Sequence, residues 1–230
     1  MTNNQELSVE KETELEGQMR LIDKPPGFTS FDVVKVIRRF ANIRKVGHAG
    51  SLDPFASGLI IVCSGPATKL IETFMRMPKE YEGVFVLGKT TDTYDCEGKI
   101  ISEDAVPRLT IEDIKSYTVP FLGTINQVPP MFSALKYKGV ALYKYARKGE
   151  FVPRSARPVI IYDFNVLWFQ SPRVGIQVRC GKGTYIRSLA HDLGTAIGCG
   201  AYVESLRRTK IGEYSVRDAV PLERFRELCN

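Results

Sequence analysis

The chain has 230 residues, 43% of them hydrophobic and 25% charged, a balance that fits a globular protein of one large or two small domains. No apolar run approaches the roughly 20 residues that cross a bilayer, and the start MTNNQELSVEKETELEG has neither an apolar h-region nor an Arg-rich amphipathic pattern, so a cytosolic location with no membrane role is expected. The five cysteines (Cys63, Cys96, Cys180, Cys199, Cys229) are widely spread, form no C-x-x-C pair and have only His48 and His191 to help, which argues for free thiols and against a disulfide framework or a zinc site.

Net charge is +6, yet residues 1–18 hold five glutamates and one lysine, so they carry −4 and the remainder +10. A basic body fits a polyanionic partner, and it equally fits a basic protein that binds no nucleic acid. The acidic start, free of aromatics, is expected to be a disordered tail.

In chain order, MRLIDK from Met19 reads as a short strand running into a Pro25-Pro26-Gly27 turn. Ser30 is the expected cap of a helix whose apolar positions Val33, Val34, Ile37, Phe40 and Ala41 share one face. After a loop from Gly47 to Gly58, LIIVCS reads as a buried strand, and Pro66 opens a short helix toward Phe74. Tyr81 to Lys89 alternates as a strand, with Gly88 closing it. Thr110 with Asp113 resembles a capping box for a helix that stops before Pro120.

From Gly123 to Pro158 the chain is rich in Pro, Tyr, Lys and Arg, with helical character only in ALYKYARK, and so long an interruption points to function. Three strands are expected next, PVIIYDF, NVLWFQ and RVGIQVRC, the last ending at a Gly-Lys-Gly turn. A helix follows, with Ile186, Leu189, Ala190, Leu193 and Ile197 at helical spacing and Gly198 as its C-cap. VESLRRTKIG reads as another strand, and Pro221 opens a terminal helix. The pattern favours an α+β domain with a mixed or antiparallel sheet, without internal repeats.

Three segments carry candidate chemistry. In the loop from Gly47 to Gly58, small residues surround Leu52-Asp53-Pro54, so the backbone can bend closely around a ligand while Pro54 stiffens the chain after the carboxylate. Asp53 can equally be a local turn cap; His48, five residues earlier in a loop poor in side chains, favours a ligand. In CGKGTYIRSLAHDLG, a lysine-bearing glycine turn feeds a helix N-terminus, a favourable anion site, although the spacing does not make a Walker A loop. Tyr185 there is either packing or contact, and Arg187 either a surface charge or a functional one. In MFSALKYKGVALYKYARKG, Lys136, Lys138, Lys144, Arg147 and Lys148 interleave with Phe132, Tyr137, Tyr143 and Tyr145. Cations for phosphates and rings for bases suit a distorted RNA loop, while a solvated helix face with inward tyrosines is the alternative. Arg154, Arg157, Arg207, Arg208 and Lys210 extend the basic set.

Together and in this order, these segments resemble the TruB family, the bacterial tRNA pseudouridine-55 synthases. The resemblance spans about residues 19–228, through LIDKPPGFTSFDVV, GHAGSLDPFASGLIIV, KEYEGVFVLGKTTDTYDCEG, QVPPMFSALKYKGVALYKYARKG, GKGTYIRSLAHDLG and SLRRTKIG. It implies a pseudouridine synthase core over residues 19–230, α+β, with a large curved mixed or antiparallel sheet flanked by helices and the insertion at about 123–158 acting as a thumb that grips RNA. It implies isomerisation of uridine 55 in the tRNA T loop, with no metal or cofactor, the T arm as partner, no protein partner and a monomer.

Residue by residue, the resemblance makes Asp53 the nucleophile, lays Tyr81 against the target base, pairs Arg187 with the catalytic carboxylate and gives Tyr185 a substrate contact. Leu206 packs on the base, His48 occupies the space vacated by flipped bases, and Lys24, Lys136, Arg207 and Arg208 complete the expected substrate-binding set. Longer family members carry an RNA-binding PUA domain after the core. This sequence stops at Asn230, so it resembles the short form, with grip expected from the thumb. The rival readings are an RNA chaperone that keeps the site as a relic and a synthase for another RNA; mere binding gives no reason for a carboxylate facing phosphates. The H-x-E and P-C-x-x-C motifs of a zinc deaminase are missing.

Overall fold

The computed structural model describes residues 17–227. Of the expected acidic tail only Gly17 and Gln18 fall within them, and Gln18 is already paired, its carbonyl accepting from Ser64 N at 3.0 Å. Cys229 also lies outside the described residues, among which Cys63, Cys96, Cys180 and Cys199 form no disulfide. No helix among the described residues is long and apolar enough to cross a membrane. The chain divides into two compact units, one formed by the chain up to Glu80 and from Arg207 onward, the other by Tyr81–Leu206.

The first unit opens with β1 (Met19–Lys24) and α1 (Ser30–Ala41). The helix cap is Thr29 rather than Ser30: Thr29 accepts from Asp32 N while the Asp32 carboxylate accepts from Thr29 N. The T-x-x-D spacing puts the box one residue earlier than expected and frees the Ser30 hydroxyl for another task. Val33, Val34 and Ile37 are buried on one face of α1, as their spacing predicts. Strands β2 (Val46–His48) and β3 (Ser57–Ser64) follow, then a 3₁₀ turn over Gly65–Leu70 and α2 (Ile71–Arg76).

In the second unit, β4 (Lys79–Leu87) is followed by the small pair β5 (Lys89–Thr91) and β6 (Ile100–Glu103), and by α3 (Ile111–Thr118), capped by Thr110 and Asp113 as expected. Then come a 3₁₀ turn at Val119–Phe121, β7 (Gly123–Gln127), the hairpin of β8 (Lys136–Tyr137) and β9 (Val140–Ala141), and α4 (Leu142–Ala146). The two strands expected between Pro158 and Gln170 are one, β10 (Arg157–Gln170), because alternation continues through Asn165 with irregularities absorbed near Asp163 and Trp168. The proposed thumb is rooted in the sheet, since its first strand β7 pairs antiparallel with the start of β10, Gln127 opposite Arg157. Strand β11 (Arg173–Cys180), helix α5 (Ile186–Ile197) with Gly198 at φ +89° as its C-cap, and β12 (Ala201–Ile211) complete this part, in the strand order β12-β4-β11-β10-β7. Helix α3 packs on β10 and α5. Phe164 of β10 meets both Phe85 and Phe121 edge-on at 6.3 Å.

Within the first unit the end of β12 runs parallel to β3, Arg207 opposite Ser57 and Arg208 opposite Gly58. Strand β13 (Tyr214–Ser215) pairs with β12, and β14 (Val220–Pro221) pairs parallel with β1 before α6 (Leu222–Glu227). The order is β14-β1-β3-β12, with β2 on β3. Strand β3 explains its unbroken apolar run by being covered on both faces. Ile60 and Val62 join Ile22, the α1 valines, Leu222 and Phe225, while Leu59, Ile61 and Cys63 join Phe74 and Ile211. The expected α+β class with a mixed sheet and flanking helices is borne out.

Gly58, where β3 begins, has φ +106°, and a Cβ there would collide with the main-chain N and O of Arg208. Gly58→Ala is therefore expected to destabilise the protein by about 3 kcal/mol, read as a lower urea midpoint with an unchanged m-value.

Candidate active site

The loop between β2 and β3 carries Asp53, and buried side chains hold it from below. Ser30, at the first turn of α1, accepts from Leu52 N at 2.9 Å and donates to Leu52 O at 3.3 Å. Lys24 is fully buried, and its Nζ donates to the carbonyls of Pro25 (3.0 Å), Phe28 (2.7 Å) and Pro54 (3.2 Å). Pro54 O also accepts from Gly27 N at 2.8 Å, so the Pro25-Pro26-Gly27 turn is tied to the residue after Asp53. Arg208, 1% exposed, donates to Leu59 O (2.7 Å), Ser51 O (3.2 Å) and Gly50 O (3.3 Å).

Both chain neighbours of Asp53 are thus pinned through their main chain, which limits the directions its half-buried carboxylate can take. Lys24 and Arg208, expected to bind substrate, have their charges engaged inside the protein as loop braces. Arg207, on the opposite face of β12, makes a two-point ion pair with Asp23 at 2.6 and 3.1 Å and stays partly exposed. His48 is half-buried at the end of β2; burial and then the Arg208 charge lower its pKa below the ordinary 6.5, outweighing a hydrogen bond with the Gly50 main chain, so the imidazole is neutral at pH 7.

In the second unit, Arg187 lies in the first turn of α5 and is only 4% exposed, which removes the surface-charge reading. Its guanidinium donates to Thr93 O at 3.0 Å and Phe132 O at 2.9 Å and lies 3.4 Å from the Asp95 carboxylate. The resemblance paired Arg187 with Asp53; the ion pair within its own unit is with Asp95, a buried residue to which the sequence reading gave no role. Asp95 also accepts from Thr93 Oγ1 (2.6 Å) and Glu97 N (3.1 Å). Its only signal was its place inside the quoted TTDTYDCEG segment.

Tyr185 caps α5 through its backbone. Its N–H donates to Gln127 Oε1 at 2.8 Å and its carbonyl accepts from Gln127 Nε2 at 3.1 Å, while Ser188 Oγ donates to Val128 O at 2.8 Å. With Arg187 on Phe132 O, three contacts stitch the N-terminus of α5 to the root of the insertion. Gln127, 1% exposed, is a second residue that sequence reasoning missed. Lys182 of the glycine turn is exposed. Tyr81 and Leu206 are both buried, and they share a sheet face: Gly83, two residues from Tyr81, would carry its Cβ to 3.2 Å from Leu206 Cδ1.

In the insertion, Lys136, Lys138, Lys144, Arg147 and Lys148 are all exposed while Leu142 is buried. Lys138 lies 5.5 Å over the Tyr137 ring and Arg147 5.3 Å over that of Tyr143, so rings and cations form one surface rather than opposite faces. Among the described residues no group of His, Cys, Asp or Glu is arranged to hold a metal ion.

Comparison with known proteins adds the following. Residues 38–186 match the family model of the TruB pseudouridylate synthase N-terminal domain, and residues 187–230 that of the tRNA pseudouridylate synthase B C-terminal domain. The tRNA pseudouridine synthase B of Opitutus terrae is 43% identical over 96% of this chain and 91% of its own. Those of Desulfotalea psychrophila and Endomicrobium trichonymphae are each 48% identical over 87% of this chain, and over 84% and 87% of their own. Among solved structures, a Cbf5-Nop10-Gar1 complex matches with a TM-score of 0.71 at 30% identity over 93% of this chain, and the archaeal box H/ACA sRNP Nop10-Cbf5 complex with 0.69 at 27% over 94%. This chain spans about half the length of those two matched chains, 54% and 55%.

Lys24→Met keeps the length of the side chain and leaves the Pro25 and Phe28 carbonyls without their buried donor. It is expected to cost about 3 kcal/mol in urea unfolding, whereas Lys35→Met, at an exposed ion pair, costs under about 0.5 kcal/mol.

Proposed function

Because the chain belongs to the TruB family of pseudouridylate synthases, we propose that it isomerises uridine to pseudouridine in tRNA, at position 55 of the T loop, with Asp53 as nucleophile. Its likeness to the named tRNA pseudouridine synthases over most of its length carries this reading. The reaction breaks the N1–C1′ bond, turns the uracil and forms the C5–C1′ bond; N1 gains a proton and C5 gives one up. Substrate and product are isomers, so no oxidant, reductant or group donor is called for. What the chemistry asks of the protein is a nucleophile, a pocket that retains the free base, and a proton acceptor.

The braced Asp53 loop supports the first demand, because a nucleophile held at both chain neighbours is pre-organised. Arg187 serves as the partner of the catalytic carboxylate. Tyr81 lies against the ring, and Leu206, on the same sheet face, keeps water from intercepting the intermediate. Tyr185 contacts the substrate. The target base must leave its stack to be reached, and the neutral His48 fills the gap without adding a charge among bases. Lys24 and Arg208 act on the loop, while Lys136 and its neighbours hold phosphates. The enzyme works in the cytosol on the T arm, as a monomer and without a cofactor.

Purified protein with unmodified tRNA transcript should yield pseudouridine at one T-loop site, mapped by chemical labelling. Asp53→Asn is expected to abolish turnover and leave tRNA affinity within about three-fold, since phosphate contacts remain. Substantial turnover in that variant would remove Asp53 from its role. Replacing Lys136, Lys144 and Arg147 together by alanine should raise the apparent KM and flatten the salt dependence of binding by up to about three phosphate contacts, with a smaller change in kcat. A wild-type salt slope would place the RNA grip elsewhere.

A further inference from the structure

Tyr94 stands between the two residues that contact Arg187, and its backbone is in the left-handed region at φ +63°. Thr93 O accepts from the guanidinium at 3.0 Å, and the Asp95 carboxylate lies 3.4 Å from it. A bulky residue rarely adopts positive φ unless its surroundings hold it there. Successive residues of extended chain point opposite ways; here the left-handed turn at Tyr94 lets one neighbour's carbonyl and the other's carboxylate converge on a single side chain.

What holds Tyr94 is visible. Its N donates to Thr91 O at 3.2 Å, its carbonyl accepts from Val203 N at 3.1 Å, and its ring stacks on His191 with centroids 4.0 Å apart and planes within 10°. His191 is four residues beyond Arg187 on α5, so the two side chains leave the same helix face one turn apart. The segment Thr93-Tyr94-Asp95 therefore docks on α5 at two successive points, an ion pair at Arg187 and a ring stack at His191. Burial and then the charge of Arg154 lower the His191 pKa, which keeps the stacked ring neutral at pH 7.

We propose that the Tyr94–His191 stack is a positioning pair for Arg187: it holds Tyr94 left-handed and thereby aims the Thr93 carbonyl and the Asp95 carboxylate at the guanidinium. This rests on the reading that Arg187 acts on the nucleophile in uridine isomerisation. In this reading the loss of the stack acts on the chemical step through Arg187 and spares the surfaces that grip RNA.

The test is a variant series assayed on tRNA transcript. Tyr94→Ala and His191→Ala should each lower kcat about ten-fold or more while KM stays within about three-fold. Tyr94→Phe, which keeps the ring, should stay within about two-fold of wild type, and Tyr94→Asn, which lacks the ring and favours left-handed backbone, should recover part of what Tyr94→Ala loses. The double alanine variant should be no slower than the slower single one, because both break one contact. Nitrogen-15 NMR of the arginine Nη–H groups gives a readout independent of turnover. The Arg187 signal should be exchange-protected in the wild type and in Tyr94→Phe, and should lose protection in Tyr94→Ala and His191→Ala. Alanine variants with wild-type kcat and a protected Arg187 signal would overturn the proposal, as would activity lost only in proportion to the unfolded fraction. If the wild type makes no pseudouridine, the functional reading fails, and the NMR arm still decides whether the stack holds Arg187.

Discussion

A buried cation must be solvated by something other than water, and in this protein the substitute is the main chain of the loop that carries Asp53 and of the turn and strand beside it. Lys24 and Arg208 are almost completely removed from solvent, and the donors described on them end on carbonyls at Pro25, Phe28, Gly50, Ser51, Pro54 and Leu59. An ammonium or guanidinium left without such acceptors would be far too costly to bury. The acceptors are therefore drawn in together, and the loop has one low-energy course. Ser30 adds a two-way hydrogen bond at Leu52, so the chain is held on each side of the carboxylate. The small residues around Leu52-Asp53-Pro54 are what allow the backbone so close to the cations, and Gly58 is the position where any side chain would strike Arg208.

A different solution to the same problem appears around Arg187. Its charge meets a carboxylate, Asp95, and it donates to carbonyls of the 92–98 segment and of the insertion. Planar, five-donor geometry suits such a junction, which a lysine could not reproduce. Since Gln127 and Ser188 fasten the same helix end to the insertion's root, the RNA-gripping segment proposed here departs from a fixed base. That matters for the base flipping proposed here, where small misplacements of the held nucleotide cost large factors in rate.

Local features of the sequence were legible where local physics decides them. The capping box at Thr110, the helix closed by Gly198 and the doubly covered β3 all follow from spacing within a dozen residues. The box at Thr29 was also written in the sequence as T-x-x-D, and reading Ser30 as the cap hid its role under Leu52. The two strands expected between Pro158 and Gln170 are one, since a long strand tolerates Asp163 and Asn165 where its register slips.

By itself the sequence determined the α+β class, the helices, most of the longer strands and the family, because these rest on periodicity, caps and motif order along the chain. It also singled out Asp53, Tyr81 and Arg187 as residues of interest. Only the tertiary structure decided what the charged residues near them do. Lys24 and Arg208 belong to the expected substrate-binding set, and their burial depends on strands far apart in sequence coming together. Asp95 and Gln127 carried no mark of their own, since a carboxylate or an amide acquires its role from the partner that folding brings within 3.5 Å, here Arg187 and the backbone of Tyr185.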